Sequence, residues 1–143
     1  MFGRASIFIS LTFLVASIAL MLPVQAQKPV PPSAEITFIQ NYNGTPACTE
    51  VETDCIYVIW KINNAPADKS GFSFVVSGRL NYEAGSSTID GITVENGNAL
   101  SNLLKFFHSG SGAIKSAEIT LKLFNRDGLQ KILASQNTKT QRF

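Results

Sequence analysis

Cys55-Ile56-Tyr57-Val58-Ile59-Trp60-Lys61-Ile62 decides how this chain is read. Ile56, Val58, Trp60 and Ile62 occupy one phase of a two-residue period, and Tyr57, Ile59 and Lys61 the other. A period of two is the side-chain alternation of a β-strand. Both phases carry apolar residues, which places the strand centrally in a sheet. Asn63-Asn64-Ala65-Pro66 then stops it, because proline cannot donate to a ladder and asparagine favours turns.

Working outward, the same grammar repeats. Short runs rich in Ile, Val, Phe, Tyr and Thr alternate with clusters of Gly, Asn, Asp, Ser and Pro. This is the pattern of an all-β domain. Ala34–Gln40 is the first expected strand, followed by a turn at 41–46. Residues 71–82 form another, with Phe72, Phe74, Val76 and Leu80 in phase against Ser73, Ser77 and Arg79. Gly78 falls in the apolar phase and marks a candidate bulge. A shorter strand is expected over Thr88–Glu95. Ala117, Ile119, Leu121 and Leu123 alternate with Glu118, Thr120 and Lys122. They run into the turn Asn125-Arg126-Asp127-Gly128, and Leu129–Ser135 returns. Residues 98–107 change period: Leu100, Leu103, Leu104 and Phe107 fall at i, i+3, i+4 and i+7. That spacing predicts a short helix, with Asn98 as its N-cap and Gly110 as its stop. Gln136–Arg142 lacks apolar residues and reads as a frayed polar tail.

Six or seven strands in one sheet would leave an apolar face in water. Two stacked antiparallel sheets bury both inner faces, so the expected fold is a two-sheet β-sandwich with one helix near 98–107. The expected organisation is a signal peptide over residues 1–26, a proline-rich arm over 27–33, the sandwich over 34–136 and a polar tail over 137–143. Arg4, the apolar run Ile7–Leu22, Pro23 and Val24-Gln25-Ala26 supply the charged, apolar and small-residue parts of an export signal. Its ~16 apolar residues fall short of the roughly 20 that span a bilayer. Secretion follows as an expectation, to the outside of the cell or, in a bacterium, to the periplasm or cell surface. No membrane insertion is expected after cleavage.

Export places Cys48 and Cys55 in an oxidising compartment, and an even count suggests that they pair. Between them Glu50, Glu52 and Asp54 alternate, so an extended hairpin puts all three acids on one side. They read as a charged surface rather than a calcium loop, which adds Asp, Asn and Gly at tighter spacing. Asn43-Gly44-Thr45 is a glycosylation sequon if the source is eukaryotic, with Pro46 unfavourably placed after it.

The chain has 12 Lys+Arg against 10 Asp+Glu, and Arg4 lies in the leader. Near-neutrality excludes a polybasic nucleic-acid binder. One histidine, His108, and two cysteines leave too few ligands for a zinc site. There is no phosphate loop, dinucleotide fingerprint or Gly-x-Ser-x-Gly elbow. No catalytic residue, metal or cofactor is therefore assigned, and His108 reads as the solvent-facing end of the helix. Tyr42, Tyr57, Tyr82 and Phe143 are candidate exposed aromatics. Tyr57 and Ile59, on the second face of their strand, are candidates for a patch that meets a protein or a glycan.

The order of elements resembles immunoglobulin-like sandwiches, nearest to the fibronectin type III arrangement. Trp60 lies in the second strand, where that family places a core tryptophan. Ile119–Gly128 looks like its penultimate strand running into an Asn-x-x-Gly turn. Ala117 stands where a tyrosine corner would carry its tyrosine. The similarity covers Ala34 to Ser135 and implies a binding or adhesive module, since a fold alone fixes no function. The expected role is a secreted non-enzymatic binder, such as an effector. The rival roles are a subunit of a surface layer, coat or fibre built by strand addition, and a small inhibitor of hydrolases or proteases.

Overall fold

The computed structural model describes residues 25–143, so the leader expected over residues 1–26 lies almost wholly outside the described residues. Seven strands follow one another: β1 (Ser33–Asn41), β2 (Thr53–Asn63), β3 (Phe72–Ala84), β4 (Ser86–Val94), β5 (Ser101–Phe107), β6 (Ser111–Asp127) and β7 (Gln130–Arg142). They form two antiparallel sheets. One has the order β1-β2-β5 and the other β4-β3-β6-β7. The described residues form an all-β two-sheet sandwich.

The alternation in the sequence explains the packing. Ile56, Val58 and Trp60 of β2 point inward, with Ile36 and Ile39 of β1 and Leu104 and Phe106 of β5 beside them. Phe74, Val76 and Leu80 of β3 and Ala117, Ile119, Leu121 and Leu123 of β6 meet them from the other sheet. Trp60 and Phe74 join the two layers, with ring centroids 5.2 Å apart. Full burial of a side chain of this size contributes roughly 1.5–3 kcal/mol. The Trp60 indole N–H is buried without a partner among the described residues.

At Gly78 the two sheets pack closely. A Cβ there would stand 2.8 Å from the tip of the Phe106 ring and 2.9 Å from Ile119. The glycine thus leaves room for a phenylalanine of the opposite sheet. A bulge adjoins it: between the pairs Val76↔Ile92 and Gly78↔Ile89, Ser77 of β3 opposes two residues of β4, Asp90 and Gly91. Gly91 adopts a φ of 58°, a left-handed conformation that suits glycine.

Two expectations are corrected. Residues 101–107 are strand β5, and no helix occurs among the described residues. Leu104 and Phe106 point into the core while Leu103 and Phe107 point outward. Both sides of the strand are therefore apolar, and that imitates a helical stripe. The second correction concerns the C-terminus, where β7 is paired with β6 as far as Arg142. Its inward-phase side chains are polar because they meet backbone rather than core. Ser135 Oγ accepts from the Ala34 amide and Asn137 Oδ1 from the Ile36 amide, each at 2.9 Å. Lys139 Nζ donates to the Thr37 carbonyl at 2.9 Å. β7 thus clasps the free edge of β1.

Candidate functional site

The outward phase of the three-stranded sheet is apolar across its width. Phe38 of β1 lies directly opposite Ile59 of β2, and Tyr57 of β2 opposite Leu103 of β5. The Tyr42 ring packs against Tyr57 with centroids 5.1 Å apart, and the Tyr57 hydroxyl lies 2.9 Å from Ser101 Oγ. Phe107 extends the row towards one end of the strands. Phe38 is 47% exposed and Phe107 67% exposed, and Tyr42, Tyr57, Ile59 and Leu103 are half-buried. Among the described residues no helix covers this face, and residues 27–31 of the proline-rich arm are exposed. The ion pairs Lys61–Glu35 (3.0 Å) and Lys105–Glu50 flank the apolar row. An apolar centre between charged flanks is the arrangement of a recognition surface.

One end of the sandwich is held by a different set of bonds. Cys48 and Cys55 form a disulfide, the pairing expected of the two cysteines. Cys55 belongs to the outward phase of β2, opposite Lys105, so the bridge folds the β1–β2 excursion back over the end of the open face. Val51 at the tip of this excursion is 90% exposed.

Beneath the bridge lies Asp54, in the inward phase and buried opposite Phe106. The Tyr82 hydroxyl donates to its Oδ2 at 2.6 Å. His108 Nδ1 meets the same oxygen at 2.6 Å, and Asn43 Nδ2 donates to Oδ1 at 2.5 Å. Burial opposes the charge on Asp54, but the hydrogen bonds from Tyr82, His108 and Asn43 outweigh it and hold the carboxyl below its ordinary range. Burial, followed by the adjoining carboxylate, pushes the Tyr82 phenol well above its ordinary range. Asn43 Oδ1 in turn accepts from the Cys55 amide at 2.7 Å. The carboxylate therefore ties together β2, β3, the β5–β6 connection and the disulfide excursion.

These positions revise several sequence-based assignments. Tyr42, Tyr57 and Ile59 do converge on one open face. Tyr82 does not join them; it is 5% exposed and packs edge-on against His108. Glu50, Glu52 and Asp54 do not share a side, since Asp54 turns inward while the two glutamates face water. Glu52 takes a φ of 63°, which breaks the alternation expected of an extended hairpin. His108 ends a strand rather than a helix and is bonded to a carboxylate. The Asn43 carboxamide is committed at both ends, so a glycan there would have to disturb its bond to Asp54. Phe143 is 44% exposed beside the end of β7.

The Asp54–His108 pair escaped the sequence reading because 54 positions separate the two residues. A carboxylate at Nδ1 fixes the orientation of the histidine. Among the described residues no hydroxyl or thiol is hydrogen-bonded to that ring, and no cluster of three metal-binding side chains occurs. The arrangement can anchor a loop; the triad geometry of nucleophilic catalysis is not assembled. Among the described residues no helix is long and apolar enough to cross a membrane. Comparison with protein-family models, with curated proteins and with solved structures finds no match for the chain.

Proposed function

We propose that the mature chain is an exported, non-enzymatic binding module that meets a protein or glycan partner through the outer face of β1-β2-β5. The observation that carries this reading is the row Phe38–Ile59 and Tyr57–Leu103, with Tyr42 stacked beside it, left open on a finished sandwich. Removing such a row from water is the main driving force of association, and aromatic side chains supply most hot spots. The disulfide suits an oxidising compartment and thus supports export. The sheet orders β1-β2-β5 and β4-β3-β6-β7, with Trp60 buried in the second strand, support a fibronectin type III-like arrangement.

The fibre-subunit reading is less well supported. Strand addition needs an open edge, and the β1 edge is occupied by Ser135, Asn137 and Lys139. On the opposite side Ser87 Oγ donates to the Phe107 carbonyl at 2.6 Å, between the edges β4 and β5.

The test is capture of surface proteins and glycans from the native host by immobilised residues 27–143. Phe38→Asp and Tyr57→Ala should each reduce capture at least tenfold while the melting temperature stays within a few degrees. Thr138→Glu, on the outer face of the other sheet, should capture as the parent does. Equal capture by all three variants would refute the assignment of the face. Hydrolysis of an ester or glycoside by the parent, abolished in His108→Ala, would refute the non-enzymatic reading.

A further inference from the structure

The outer face of the four-stranded sheet carries its own recess. It adjoins the bulge where Ser77 opposes both Asp90 and Gly91. A bulge leaves ladder groups unpaired and re-aims the neighbouring side chains. Beside it lies a shallow cleft of about 190 Å³, lined by Ser77, Arg79, Thr88, Asp90, Glu118 and Thr120, with Ile89 its one large apolar side chain. Arg79 stands directly between Thr88 on β4 and Glu118 on β6.

Of the ten acids, five have a basic partner: Glu35, Glu50, Asp54, Glu83 and Glu95. Asp90, Glu118 and Arg79 form no ion pair among the described residues, although they converge on one cleft. Two carboxylates accept, one guanidinium donates, and three hydroxyls do either. No aromatic ring lines the cleft. Apolar ligands are buried in deep apolar pockets, so this shallow polar one suits a ligand that presents hydroxyls.

We infer that the cleft at the β4 bulge is a saccharide subsite, taking one hexose-sized unit at the end of a glycan. The carboxylates of Asp90 and Glu118 accept from adjacent sugar hydroxyls, and Arg79 donates to a ring or hydroxyl oxygen between them. The site lies on the sheet opposite the apolar row, so the inference is independent of the reading given to that row.

The test is an amide-resolved NMR titration of residues 27–143 with methyl glycosides of the common hexoses and N-acetylhexosamines, up to about 50 mM, the range of weak single-site binding. Free glycine and arginine serve as non-sugar controls. The expected result is saturable shifts confined to residues 77–79, 88–91 and 118–120 for at least one glycoside. Asp90→Asn and Glu118→Gln should each weaken binding at least tenfold, and Tyr57→Ala should leave it unchanged. All three positions are on the surface, and the spectrum of each variant reports whether it is folded. No shift with any glycoside would overturn the inference. So would shifts centred on Tyr57, shifts with the amino acids alone, or undiminished binding by both cleft variants.

Discussion

The two outer faces of the sandwich are built by the same rule and finished with opposite chemistry. On β1-β2-β5 the outward phase reads Phe38, Tyr57, Ile59, Leu103 and Phe107. On β4-β3-β6-β7 it reads Ser77, Arg79, Thr88, Glu118, Thr120 and Thr138 through the middle, with Val75, Phe124 and Leu133 towards one end. The inward phases of both sheets are alike and interlock around Trp60, Phe74 and Phe106. One strand period thus specifies the fold on its inner residues and leaves its outer residues free. The contrast between the two faces is therefore a property of surface chemistry, separable from stability.

The most severe way to break that separation is to attack the shared core. Trp60→Ala removes the largest buried side chain and should cost about 3–5 kcal/mol, read by urea denaturation. Both faces should lose their ligands together. Gly78→Val places a methyl-bearing carbon where Phe106 and Ile119 already stand. It should cost about 1–3 kcal/mol by overpacking.

Next in size is the stapled end. Replacing Cys48 and Cys55 with alanine should cost roughly 2–3 kcal/mol by restoring freedom to the unfolded chain. Asp54→Asn should cost about 2–3 kcal/mol, because hydrogen bonds to a charged group are strong. The pH dependence has a definite sign. The folded carboxyl of Asp54 lies below its unfolded value near 4. Its contribution is therefore complete above that value and is lost as pH falls through the folded one. Glu35 and Asp68 are lowered too, by hydrogen bonds from Lys61 and Ser70 respectively. The stability difference between parent and Asp54→Asn should hence shrink as pH is lowered from neutrality through the acid range, while a residual acid dependence persists. A difference constant across that range would show that the carboxylate is not the hub of this end.

The smallest stability effects should come from the faces themselves. Phe38→Asp, Asp90→Asn and Thr138→Glu should each shift unfolding by less than about 1 kcal/mol, while dividing the two binding readouts cleanly. A much larger loss in Phe38→Asp would show that the apolar row serves packing rather than recognition.

The same inner and outer division explains what could be read from the sequence. β2, β3 and β6 alternate cleanly enough to announce themselves, and their inward residues form the core. β5 was obscured because Leu103 and Phe107 belong to the open face; apolar residues on both phases erase a period of two and admit one of 3.6. β7 was obscured for the opposite reason. Its inward side chains meet the polar backbone of β1, so no apolar phase exists. Of the candidate surface aromatics, Tyr57 follows from strand phase, whereas Tyr42 lies just beyond β1, where no phase places it. Tyr82 lies in the buried phase of β3 beside Leu80, a signal that could have excluded it. The Asp54–His108–Tyr82–Asn43 network depends on which strand ends lie side by side, and no local pattern encodes that.

The clasp between the first and last strands also sets how the molecule could transmit force. Contacts advance from Ala34–Ser135 through Ile36–Asn137 to Thr37–Lys139, so β1 and β7 run parallel. Ser33 and Arg142 therefore lie at opposite poles of the sandwich. Tension applied through the two ends would slide these strands lengthwise past each other, straining the clasp bonds simultaneously in shear rather than unzipping them one at a time. A tether drawn taut between a surface and a captured partner would meet its stiffest resistance along that axis.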